Sequence, residues 1–344
     1  MEKLPNLGVV GDASDEEKEK FLKRQRDIFI NQLEFEELSP EVKETIEKAN
    51  FPKSPEQISI LNFINEETNR LMVELDIEPF DVPPKNFYIL PDAELKELTD
   101  SKSAAYGSAN QAVVMTYRLR TSLLRFALVS YHEMIHFKAK QISEVYKNED
   151  KIKDQYFRQG VRAYSTRKKD EEDNRHDHFT GLGEAIVGKQ EKLFLSRLLD
   201  LPELAQEKAR QNTEQYKLVR KEIAEKEKLP EDEIYWIDPL DNKNWNSFGY
   251  YYLRRVLEYV CEEIIKEFSD KYEDKEAVFR EFLKANFDGN LLTIGRLVEK
   301  TFGEGSFRDL GDMKAEGNQT ANLVLEKLRK MRRKILAKRN INQS

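Results

Sequence analysis

An α+β fold is predicted by three features of this 344-residue chain. The stretch from about Leu119 to Val145 contains no Pro or Gly. It is apolar nearly all round through Leu123, Leu124, Phe126, Ala127, Leu128 and Val129, which predicts a helix buried on every face. Short β-branched or aromatic runs flank it, and helical periodicity with charged faces fills most of the remainder. Charged residues make up 35% of the chain, above the roughly 25% of an average domain. The apolar 39% therefore has to cluster to build a core, and it does so in periodic stretches.

The elements follow in order. Asp15 to Glu37 reads as a charged helix that Ser14 or Asp15 caps. Ser54-Pro55-Glu56 opens a second helix, carried by Ile58, Leu61, Phe63, Ile64 and Leu71 to about Leu75. Pro79 to Pro84 is a linker, and Asn86 to Leu90 is the first core strand. From Ser103 to Tyr117, small residues give way to β-branched ones, as in a strand that another backbone approaches closely. Beyond the central helix, Tyr156 to Thr166 alternates loosely through Arg158, Gly160, Val161, Arg162 and Tyr164. It predicts a hairpin that walls a cleft or simply connects its neighbours. Helices resume from Glu191 to Lys228, broken near Leu201-Pro202, and residues 231–245 read as a loop. Further helices span Arg254 to Phe268, Lys275 to Asn286 and Asn290 to Phe302. This divides the chain into a helical N-terminal extension (1–85), a core (86–200), a mostly helical C-terminal subdomain (201–318) and a basic helix or tail (319–344).

The chemistry concentrates in Tyr131-His132-Glu133-Met134-Ile135-His136-Phe137, which holds two of only four histidines. On a helix, positions i and i+4 share one face, so both imidazoles can reach one metal ion. Glu133, beside the first of them, can point at a water near that ion as a general base. Two histidines on an ordinary amphipathic helix would instead be solvated or satisfied in the core. The surroundings favour ligation, because polar groups on so apolar a helix are costly unless satisfied.

Zinc catalysis needs three protein ligands and an open position. A metzincin continuation would place Gly and His where Ala139 and Ile142 stand, which excludes that class. Two kinds of third ligand remain open. His176 and His178 follow a charged run, Lys168 to Arg175; beyond them Gly181-Leu182-Gly183-Glu184-Ala185-Ile186 opens another helix. That segment, downstream of His-Glu-x-x-His, resembles the glutamate helix of the gluzincins, the thermolysin-like zinc peptidases. The resemblance implies His132, His136 and Glu184 as the ligands of one Zn2+ and Glu133 as base. Gly183 replaces the Asn found before the glutamate in many members, and the spacing of 48 positions from His136 to Glu184 exceeds that of thermolysin. Gly188 also stands where thermolysin carries an aspartate that supports a ligand histidine, so support must come from elsewhere.

The resemblance covers roughly residues 86–300. It implies a zincin-like core, with a small mixed sheet over an active-site helix, and a substrate peptide added to the sheet edge offered by the 103–117 strand. It also implies a tyrosine at the oxyanion. Tyr250, ahead of Val256, Leu257 and Tyr259, fits that frame first and Tyr251 second, although Leu253 stands at the glycine position. His176 or His178 could serve instead. The glutamate that grips a substrate amine in aminopeptidase relatives has no counterpart near Gly107 to Asn110, which leans toward endopeptidase activity on a peptide or protein. A non-proteolytic, metal-binding regulatory protein that keeps the same fold is the alternative.

The single cysteine, Cys261, excludes an internal disulfide framework. No apolar signal core begins the sequence and no run reaches transmembrane length, which predicts a cytoplasmic protein. The net charge is −7, yet Glu326 to Asn340 carries eight basic residues against one acid. Such a tail could contact nucleic acid, membrane or a partner, but more often it is a solvated helix end.

Overall fold

The computed structural model describes residues 4, 6–34, 39–99, 104–107, 111–148, 151–166, 175–316 and 318–343. Among these the chain is α+β, with short strands gathered into small sheets and helices filling the rest. It opens with β1 (Leu7–Val10) and α1 (Asp15–Asn31). Ser14 caps α1 by accepting from the Glu17 amide while Glu17 reaches back, a reciprocal box that settles which residue is the cap. Then come α2 (Pro40–Ala49), α3 (Pro55–Glu74), β2 (Phe87–Leu90) and α4 (Asp92–Leu98). Ser54 caps α3 in the same reciprocal way with Gln57, and Pro55 occupies the first turn where its missing N–H costs nothing.

The 103–117 stretch folds as two strands, β3 (Ala104–Gly107) and β4 (Ala112–Thr116); Ser103 and Ser108 to Asn110 lie outside the described residues. β4 is central in a three-stranded sheet, parallel to β2 and antiparallel to β3. β3 is the edge among the described strands and packs on the helix that follows, α5 (Leu123–Lys138).

Helix α5 ends at Lys138, short of the predicted Val145. Ala139 turns extended, and β5 (Gln141–Asn148) begins a second sheet. This stretch is paired on both sides, antiparallel to the strand that follows it and parallel to one from far away in sequence. β1 lies parallel to β5, from Leu7 opposite Gln141 to Val10 opposite Glu144, and Asn6 Nδ2 donates to the Phe137 carbonyl at 2.8 Å. The rest of that sheet is antiparallel: β6 (Lys151–Gln159), β7 (Arg162–Thr166) and β8 (Arg175–His178), in the order β1-β5-β6-β7-β8.

From there the chain is mostly helical: α6 (Thr180–Leu198), α7 (Ala205–Gln211) and α8 (Glu214–Glu227). Within the segment expected to be a loop, β9 (Ile234–Ile237) is fully buried and pairs with β10 (Trp245–Ser247). Then follow α9 (Tyr251–Glu267), α10 (Lys275–Asp288), α11 (Leu291–Phe302), α12 (Ser306–Gly311) and α13 (Asn318–Gln343). No described helix is long and apolar enough to cross a membrane.

The main core surrounds α5. Phe126, Ala127, Leu128, Met134, Ile135 and Phe137 are all 0% exposed. Tyr131 stacks on Phe194 of α6 with ring centroids 3.8 Å apart, and Phe137 meets Phe29 of α1 edge to face at 5.9 Å. Parts of the N-terminal region join this core, since Phe29 of α1 and the buried face of α3 belong to it and α3 packs along α5, while Ile46 of α2 packs in a second cluster with Tyr88, Leu90 and Leu95. On the other side α6 packs against both α5 and α9, and α13 runs along α9. The site thus sits on two helices clamped from both ends of the chain.

Candidate metal centre

Helix α5 supplies His132, Glu133 and His136, and α6 supplies Glu184 one turn from its start. The small residues around Glu184 have a packing cause. A Cβ on Gly181 would come within 2.7 Å of the Met313 carbonyl, so only glycine lets α6 begin against that segment. Its amide donates to the same carbonyl at 2.9 Å.

The three candidate ligand atoms converge. His132 Nε2 lies 3.2 Å from Glu184 Oε2, His136 Nε2 lies 3.6 Å from the same oxygen, and the two Nε2 atoms are 3.2 Å apart. Atoms each about 2.0–2.2 Å from one tetrahedral ion are separated by roughly 3.3–3.6 Å, so this triangle is close to the right size. Glu184 Oε2 is buried and accepts no hydrogen bond, and leaving a carboxylate oxygen so is costly unless a cation completes it. These residues therefore fit, and could hold, a metal ion.

The supporting shell explains the orientation. His132 Nδ1 is 3.1 Å from Glu191 Oε2; with the proton on Nδ1, the Nε2 lone pair faces Glu184. Glu191 stands two turns after Glu184 on α6 and so returns to the same face. The support absent one turn on, at Gly188, is thus supplied two turns on, a spacing that the sequence carries. The Arg162 guanidinium of β7 pairs with the other oxygen of Glu184, Oε1. Burial and then the Arg162 and His132 charges hold His136 well below its usual pKa, which keeps it neutral. Burial also pulls His132 down, but the Glu191 hydrogen bond and the Glu191 and Glu133 charges outweigh it and raise this imidazole.

Glu133 is buried, at 8% exposed, and its charge acts on both His132 and Tyr250. The Tyr250 ring is stacked 6.0 Å from the His132 ring, while Tyr251 packs instead against Tyr252 and under the Arg255 guanidinium. Tyr250 adopts φ +61°, ψ +31° at the start of α9, a left-handed conformation that costs a non-glycine residue about 1–2 kcal/mol. Tyr250 is 37% exposed, yet loss of water around its hydroxyl and then the Glu133 charge push the phenol up.

His178 ends β8 and lines a separate hollow with Phe179, Glu299 and Phe307; it is not brought to the three ligands. The side chain of His176 and residues 167–174 lie outside the described ones.

No family model matches this chain, and neither does any curated protein or solved structure. The centre therefore has to be read from its own geometry.

The basic tail, α13, is partly committed inward. Arg332 is buried and donates to Glu263, Glu267 and the Thr301 carbonyl, and Arg339 also pairs with Glu267.

Proposed function

We propose that this chain is a zinc-dependent metallopeptidase of the gluzincin type, with His132, His136 and Glu184 holding one Zn2+ and Glu133 as general base. One observation carries the reading. Glu184 Oε2, without a hydrogen bond, faces two imidazole nitrogens at 3.2 and 3.6 Å beside a buried glutamate. Zinc is the favoured ion because a His2Glu set is one of the three-ligand sets of catalytic zinc. Bound there, zinc supplies the Lewis acidity that activates water and polarises a carbonyl.

The chain's own residues do the rest. Glu133 takes the proton from the attacking water and passes it to the leaving amine. The Tyr250 hydroxyl, kept protonated, donates to the oxygen on which charge develops. β3, an edge strand against α5, offers its backbone to an extended peptide, as in β-augmentation. A peptide paired with β3 would run past the centre in both directions, which favours internal cleavage over removal of one terminal residue. The zincin-like arrangement, with a small mixed sheet over an active-site helix, is part of the same reading.

The test compares wild type with Glu133→Gln on a broad peptide library, with metal content measured in both. The reading expects one zinc per chain in each and cleavage by wild type only. Cleavage by Glu133→Gln, or none by zinc-loaded wild type, would overturn it.

A further inference from the structure

The two oxygens of Glu184 have different tasks. Oε1 is paired with the Arg162 guanidinium, whereas Oε2 faces His132 and His136 and accepts no hydrogen bond. A free carboxylate can offer a cation one oxygen or both, and the choice decides how many positions remain for other groups. Here the choice is made by a side chain from another element.

Arg162 is held firmly enough to make it. It follows a tight turn at Gly160, where φ is +55° and a Cβ would strike the Asn286 side chain at 2.1 Å. The Gly160 amide donates to the Lys140 carbonyl at 2.6 Å, and Arg158 Nη1 donates to the Gly289 carbonyl at 2.7 Å. Gln159 Nε2 donates at 3.3 Å to the carbonyl of His136 itself. The turn is thus fastened to the end of the ligand helix and to the α10–α11 junction. On the facing side, Gly183 leaves room for the arginine to lie across α6: a Cβ there would sit 3.1 Å from both Cγ and Nε of Arg162. The residue that departs from the gluzincin Asn-Glu pattern is the one that admits Arg162.

We infer that Arg162 is a positioning residue that confines Glu184 to a single metal-facing oxygen. It occupies Oε1, leaves Oε2 to complete the set with His132 and His136, and so keeps a position free for water. The planar guanidinium suits this, since it offers charge and directed donors together. The inference rests on the metal-centre reading above.

The test loads wild type, Arg162→Gln, Arg162→Lys and Gly183→Ala with Co2+ and records the visible absorption, which is intense for four-coordinate cobalt and weak at higher coordination. Circular dichroism checks that each variant is folded. We expect intense four-coordinate bands from wild type. They should be lost in Arg162→Gln, as the carboxylate becomes free to offer both oxygens. Arg162→Lys, which keeps a charged donor, should retain them. Gly183→Ala, which moves the arginine without removing it, should weaken them, and it stands in if Arg162→Gln does not fold. A purely structural role for Arg162 would change stability and leave the spectrum alone. If wild type binds cobalt and every folded variant keeps its spectrum, the inference falls and the centre stands. If wild type binds no cobalt, both fall.

Discussion

Glu191 Oε2 stands 3.1 Å from Nδ1 of His132, whose Nε2 faces Glu184. The imidazole is therefore held between two carboxylates of one helix, one supporting it and one sharing its proposed ion. Replacing Glu191 by Gln keeps the shape and removes the charge. Metal affinity should fall by about 10–100-fold, the usual loss for a partner of this kind. Competition with a chelator measures it; an unchanged affinity would mean that Glu191 serves packing only.

Tyr250→Phe removes one hydroxyl from the site and leaves the ligands in place. On the proposed mechanism kcat should drop by roughly 10²–10³-fold, the cost of losing one oxyanion donor, with KM and metal content nearly unchanged. A loss confined to KM would assign the tyrosine to substrate binding instead.

The scaffold makes its own prediction. Phe126 is 0% exposed in the core around α5, so Phe126→Ala should cost about 3–5 kcal/mol through lost burial and the cavity left behind. Urea unfolding reads this directly. A change below about 1 kcal/mol would contradict the packing described for α5.

Acid should loosen the C-terminal helix. Burial raises the Glu263 carboxyl, but hydrogen bonds and charge from Lys266 and Arg332 outweigh it and hold the group below its usual pKa of 4.5. Glu267 is held down first by its bond to Arg339 and also by Arg332. Carboxylates lowered on folding contribute stability that is fully present above the unfolded value and lost as pH falls through the folded values. The α9–α13 contact should therefore weaken below about pH 4.5. Arg332→Met, already weakened at neutral pH, should lose less stability on acidification than wild type. An equal loss in both would exclude these pairs as the cause.

How much of this was legible in the sequence depends on how local each cause is. The His132/His136 spacing and the apolar surroundings of α5 are properties of one helix and can be read along it. Glu191 is equally legible, because seven residues on from Glu184 is the same face of the helix. Other features are non-local. The switch from helix to strand after Ala139 rests on pairing on both sides of β5, with β6 along its whole length and with β1, far upstream, over its first four residues, and a pattern read along one helix does not show either partner. β9 hides four buried residues, Ile234 to Ile237, among Asp-, Asn- and Pro-rich flanks that read as loop. Arg162 carried no signal of its own, because its role arises only where β7 crosses α6.

The most direct measurement is anomalous diffraction at the zinc edge from crystals of the zinc-loaded chain. The account predicts one strong peak about 2.0–2.2 Å from His132 Nε2, His136 Nε2 and Glu184 Oε2. No peak among those three atoms, or a peak held by other residues, would contradict it.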